Sequence, residues 1–262
     1  MARIIDDHNW RGFLSGQSTD ILRGRYPGAL PRVTRFGELE CAAVYADYAP
    51  IIPESEWLDR IKAMTEAKAW PQDLWDRQSP KIKNQKRRPY CWTWSLSQIV
   101  EKMRAAMNLP YVETAPVTAG GAVNWRNVGN SLDSTIRHYA KYGIASAAFV
   151  PDQWSLSPST FKPGWQGDAL NYRITEWWDV GGVNVWKEAV SILLSGHPVY
   201  VGLSWWGHAV SYSKLVVVDG EVCPYTPNTH GEGRDVILKG SRKYPDLGCF
   251  GPRVPTFSGA EA

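Results

Sequence analysis

The sequence predicts an α+β fold, with helices first and a mostly antiparallel sheet after them. Three observations carry this. Apolar residues recur at helical spacing in four segments that end by Gly196. Beyond Gly196 the pattern becomes that of strands. Asp219-Gly220 then marks a tight hairpin turn between two of them. Helices followed by strands, rather than alternating with them, point to a helical half and a β half.

The first helix lies in "PESEWLDRIKAMTEA". Pro53 opens it, and Trp57, Ile61 and Met64 repeat on one side. The second begins at Cys91, just after Pro89, with Trp92, Leu96, Ile99, Val100, Met103 and Met107 as one apolar stripe. The third covers "NSLDSTIRHYAKYG". Leu132, Ile136, Tyr139 and Ala140 form its inner face, and Gly143 suits its C-terminal cap. The fourth covers "NVWKEAVSILLSG". Strands are expected in "PVYVGLSWW", "HAVSYSKLVVV" and "DVILKG". Residues 1–68 open with an irregular stretch, "LRGRYPGALPRV", and read as an N-terminal extension. A larger domain over 69–262 follows.

Composition narrows the partners. With 262 residues, 44% hydrophobic and 21% charged, the chain can build a real core. A formal charge of +3 is too small to argue for nucleic acid, and no Gly-rich phosphate cradle is present. The basic run "KIKNQKRRPY" reads as a solvated loop. The 14 tryptophans, among them Trp177, Trp178, Trp205 and Trp206, suit either the core or a substrate groove. Cys41, Cys91, Cys223 and Cys249 form neither metal-type pairs nor a disulfide framework, although a Cys223–Cys249 bridge is compatible with the sequence. Asp6, Asp7 and His8 stand where a signal peptide needs an apolar run, and no stretch approaches the ~20 apolar residues of a membrane span. The expectation is a cytoplasmic protein, or one in a particle assembled there, with no membrane partner, cofactor or metal.

Chemistry is concentrated in "NQKRRPYCWTWSLSQIVEKM". Cys91 stands at a helix N-terminus, where unpaired N–H groups and the helix dipole stabilise a thiolate below its ordinary pKa of ~8.5. A thiol nucleophile also needs a base, a group orienting that base, and oxyanion donors. Among the histidines, His8 lies in the extension and His197 at a helix-to-strand turn. His138, beside Arg137 and Lys141, reads as a surface residue. His208 in "WWGHAVSY" opens a strand. Twenty residues after it, "TPNTHGEG" offers Asn228 as the orienting group, although the segment by itself reads as a turn.

These pieces together resemble the papain-like cysteine peptidases. "NQ", five residues, then "CW" opening a helix is similar to that family's active-site signature. "GHAV" and "NTHG" resemble its His and Asn segments, and "GNSLDSTIRHYAKYGI" resembles its Gly-Gly stretch and following helix. The resemblance covers roughly residues 70–262. It implies a two-lobed fold with the active-site cleft between a helical and a β lobe. It implies Gln85 as oxyanion donor, Cys91 as nucleophile, His208 as base and Asn228 as orienter. Gly129 and Asn130 would then lie beside the substrate backbone, and Ala209 near the pocket for the residue preceding the scissile one. The implied reaction is peptide-bond hydrolysis through a thioester, on a polypeptide substrate and without a cofactor.

Three positions depart from the family pattern. Asn130 replaces the second glycine, and His230 replaces the tryptophan that shields the His–Asn bond. The cysteines of the usual disulfides are missing, which suits a reducing compartment. Gly120-Gly121 is a second candidate for the substrate strand. Residues 1–68 occupy the place of a pro-segment, as an inhibitor or as a docking element for a partner. The compact form resembles bacterial and phage members, which suggests a virion-associated or host-directed role. Two other classes stay open. One is a thiol acyl transferase or peptidoglycan-peptide amidase, with Asp219 as the third member. The other is a silent structural protein on the same fold.

Overall fold

The computed structural model describes residues 2–15, 28–81, 83–86, 88–122, 129–230 and 235–254. The first half of "LRGRYPGALPRV", residues 22–27, therefore lies outside the described residues. The strands are β1 (Arg3–Ile5), β2 (Ala29–Leu30), β3 (Ala42–Val44), β4 (Asn130–Ser131), β5 (Glu176–Asp179), β6 (Val199–Leu203), β7 (His208–Tyr212), β8 (Lys214–Val218), β9 (Glu221–Thr226), β10 (Val236–Leu238) and β11 (Gly248–Val254). The helices are α1 (Trp10–Ser15), α2 (Tyr45–Tyr48), α3 (Trp57–Glu66), α4 (Pro71–Asp76), α5 (Cys91–Ala106), α6 (Val117–Ala122), α7 (Leu132–Tyr142), α8 (Trp165–Ala169) and α9 (Val185–Leu194).

Helix α5 is the central element. It begins at Cys91, the first residue after Tyr90, and is buried from Cys91 to Ala105. The expected single apolar stripe is thus a helix enclosed on every side, and only Met107, past its end, is exposed. Its polar residues are held by specific partners. Ser95 Oγ donates to the Ala209 carbonyl at 2.6 Å, and Lys102 Nζ to Ser211 Oγ at 3.0 Å and Ser213 Oγ at 3.2 Å. Glu101 pairs with Lys83 at 2.6 Å. Lys83 is therefore buried, a correction to the solvated-loop reading of its segment; Glu101 and the Thr114 carbonyl draw it inward.

The β half differs from the sequence expectation in one instructive way. "HAVSYSKLVVV" is not one strand. It breaks at Ser213, so that β7 ends the five-stranded sheet β3-β5-β11-β6-β7 while β8 ends the four-stranded sheet β1-β10-β9-β8. The hairpin between β8 and β9 turns at Asp219 (φ +50°) and Gly220 (φ +77°), the left-handed pair that an Asp-Gly hairpin supplies. Antiparallel pairing prevails within both sheets, but two edges are parallel: β1 on β10 and β3 on β5. Both parallel edge strands come from residues 1–68.

Several residues of that segment reach the core. Ile5, Phe13 and Leu14 pack with Trp206, Val210, Leu215, Val236 and Leu238 in one buried cluster. Further along, Arg32 forms a two-pronged ion pair with buried Asp179, each contact 2.6 Å, and Asp133 accepts the backbone N–H groups of Val33 and Thr34. His138, expected at the surface, is buried against Tyr142; burial pulls its pKa down to about 4, with Lys141 adding to the shift. All four cysteines are free, so Cys223 and Cys249 do not pair. Among the described residues no helix is long and apolar enough to cross a membrane.

Candidate active site

Three elements converge on one point. Cys91 Sγ, at the start of α5, accepts the Ala209 N–H of β7 at 3.2 Å. His208, the first residue of β7, immediately precedes that donor. Its Nε2 lies 3.1 Å from Asn228 Oδ1, just beyond β9. The β8–β9 hairpin thus carries Asn228 back to the imidazole. Asp219, the rival third member, is at the tip of that hairpin and pairs with Lys239 at 2.6 Å. The amide, not the acid, holds His208.

The imidazole is clamped between two rings. Trp206 lies on one side at 4.6 Å, and His230 stacks on it at 4.8 Å and 19°. His230 keeps its place because its N–H donates to Asn228 Oδ1 at 3.3 Å and its Nδ1 lies 3.1 Å from the Lys86 carbonyl. His230 therefore contacts both His208 and Asn228.

Gln85 is buried beside the same segment. Its N–H donates to the Thr229 carbonyl at 2.7 Å, Thr229 Oγ1 donates to its Oε1, and its Nε2 donates to the Arg88 carbonyl at 2.8 Å. In this form the amide that the resemblance assigns to an oxyanion is already engaged. Gly129 precedes β4 and Asn130 opens it, whereas Gly120 and Gly121 fall within α6, so the rival glycine pair offers no strand. Asn130 folds its Oδ1 onto the Ser131 N–H at 2.9 Å, and its own backbone N–H has a separate partner.

That N–H is taken by the chain itself. Asn130 N donates to the Gly28 carbonyl at 3.2 Å, and Ala29 and Leu30 pair in parallel with Asn130 and Ser131. From the opposite lobe, the Gly207 carbonyl accepts from Gly28 N at 3.0 Å and Ala29 N at 3.2 Å. Residues 28–30 thus bridge β4 and the β6–β7 turn directly over the sulfur. A Cβ added to Gly28 would stand 2.4 Å from Cys91 Sγ, so a side chain there is sterically barred. Cys91 has no solvent exposure and His208 only 3%.

Covering sets the electrostatics. Burial pushes the Cys91 thiol up to about 12, against the pull of the Ala209, Trp92 and Cys91 N–H groups. The sequence expectation of a lowered thiol pKa is thus reversed in this form, because desolvation outweighs the helix N-terminus. Burial first, and His230 second, hold His208 well below its ordinary value, with the Asn228 bond opposing them. The covered site rests as neutral thiol and neutral imidazole. Trp206 was read from sequence only as suiting the core or a substrate groove, and Gly28, Gly207 and Thr229 were not singled out for this site. Only the glycines carry any local signal there, and nothing in the spacing links them to Cys91.

No family model matches the chain, and no curated protein matches it in sequence. Solved structures do match. The digestive procathepsin L2 proteinase of Tenebrio molitor larval midgut aligns with a TM-score of 0.60 at 12% identity, covering 95% of this chain and 87% of its own. Procathepsin B S9 of Trypanosoma congolense gives 0.54 at 13%, covering 92% and 99%. Xylellain, a cysteine protease from Xylella fastidiosa, gives 0.51 at 15%, covering 68% and 85%. The chain has the papain-like fold.

Proposed function

We propose that the chain is a papain-type cysteine peptidase held in a self-covered form by residues 28–30. The observation that carries this is the convergence of Cys91, His208 and Asn228 from three elements, with His208 Nε2 at 3.1 Å from Asn228 Oδ1 and Cys91 Sγ on the N–H of the residue after His208. The free amide of Asn228 cannot take a proton, so it fixes the imidazole tautomer without competing for charge.

Lifting the crossing segment rehydrates both groups. The thiol pKa falls, the imidazole pKa rises, and the pair settles as thiolate and imidazolium. Cys91 Sγ then attacks the scissile carbonyl. Its own N–H and Gln85 Nε2, exchanged from the Arg88 carbonyl, hold the oxyanion. His208 gives its proton to the leaving amine. A water, deprotonated by His208, adds to the thioester, and collapse releases the acid and restores the thiol. The alignments with proenzymes span more than nine-tenths of this chain, which supports reading residues 1–68 as the covering segment.

The test is peptide turnover by the full chain carrying Gly28→Leu, whose side chain cannot fit over Cys91 Sγ. Hydrolysis of a mixed peptide library should appear in Gly28→Leu, be weak or absent in the unsubstituted chain, and vanish in Gly28→Leu/Cys91→Ala. A Gly28→Leu protein with an accessible thiol and no peptide or thioester turnover sinks the proposal.

A further inference from the structure

We propose that Trp10 and Phe13, in helix α1 of the extension, are positioning residues for His208, acting through Trp205 and Trp206. This rests on the peptidase reading above and assigns the extension a second, opposite role: residues 28–30 cover the site while residues 3–15 build it.

The observation is an unbroken run of rings. Trp10 meets Trp205 edge-on at 6.1 Å, Trp205 stacks on Trp206 at 5.4 Å and 22°, and Trp206 lies against His208 at 4.6 Å. Phe13 meets Trp206 edge-on at 5.1 Å. Trp206 therefore has the catalytic imidazole on one side and the extension on another. The helix itself is fixed: Ile5 of β1 is fully buried in the sheet beside β10, and Phe13 and Leu14 lie in the core cluster that contains Trp206. Edge-to-face ring pairs attract beyond their burial because the positive edge of one ring meets the negative face of the other, which favours one orientation. The charged or titratable groups bearing on the run are Arg3 over Phe13, Arg11 and Arg242 over Trp10, Arg242 over Trp205, and His230 on His208.

Removing Phe13 opens a void behind Trp206. The imidazole then loses its backing and pairs less well with the thiolate. The effect reaches His208 without any contact between Phe13 and substrate, which distinguishes positioning from catalysis.

The experiment compares iodoacetamide alkylation of Cys91 in full chains carrying Gly28→Leu alone, with Phe13→Ala, with Phe13→Leu, and with His208→Ala. Phe13→Ala should slow alkylation near pH 6 by roughly tenfold, equivalent to one pKa unit in the pair, and leave the rate above pH 9 unchanged. Phe13→Leu, which refills the volume, should restore most of it. Nitrogen NMR of the His208 ring in the unsubstituted chain provides a second readout that does not need an open site: its signals should move with Phe13→Ala and return with Phe13→Leu. A fall in melting temperature with unmoved alkylation profile and unmoved ring signals overturns the inference. Alkylation indifferent to His208→Ala overturns instead the peptidase reading beneath it.

Discussion

Asn228 is the residue on which the choice of chemistry turns. It faces His208 Nε2, whereas Asp219 is spent on Lys239 at an exposed hairpin tip. In the Gly28→Leu background, Asn228→Ala should lower kcat/KM at least tenfold, and Asp219→Ala should leave it within a factor of two; steady-state hydrolysis measures both. A second residue, His138, reports on stability. Its unfolded pKa is near 6.5 and its folded value about 4, so the unfolded chain binds the proton first. Stability is therefore fully present above about pH 6.5 and falls as pH drops towards 4, by at most about 3 kcal/mol from this group. His138→Gln should flatten that part of the curve in urea titrations at pH 4–7. Cys91, His208 and Asn228 were legible as candidates because chain order and local pattern name them. The thiol's raised pKa was not, since it depends on Gly28, 63 residues upstream in the chain, which no pattern places over the sulfur.

Helix α5 shows the same division at the scale of an element. Its start at Cys91 was readable from Pro89 and the apolar run, and Gly143 and Gly196 marked the ends of α7 and α9. Its full burial was not, because one sequence does not reveal that β7 and α4 close over the remaining faces. The break at Ser213 was hidden for a similar reason: both sides look alike as strand, and only the division between two sheets separates them. Lys102 sits in this seam, its pKa pulled down to about 7 by burial, against Asp76, Asp235 and Glu101. A depressed lysine contributes stability above its unfolded value of ~10.5 that is lost as pH falls to about 7. Lys102→Met, similar in volume, should therefore be stabilising at pH 7, by up to about 4 kcal/mol, with the gain shrinking towards pH 10. Chemical denaturation at the two pH values reads this directly.

At the scale of the whole molecule, the described parts of the first 68 residues are tied into the rest of the chain. They add an edge strand to each large sheet, lay helix α1 against the ring stack of His208, and carry residues 28–30 across the cleft between Asn130 and Gly207. The sequence marked this segment as an extension but could not locate its contacts, because edge pairing and a glycine crossing leave no periodicity. The most direct test of the account is the rate of Cys91 alkylation against pH in the full chain carrying Gly28→Leu, with and without His208→Ala. A covered site that becomes a thiolate–imidazolium pair once opened requires that the unsubstituted chain react slowly throughout, that Gly28→Leu react well below pH 8, and that His208→Ala move its midpoint up towards the ordinary thiol value of ~8.5. A Gly28→Leu profile that already titrates near ~8.5 and ignores His208 would contradict it.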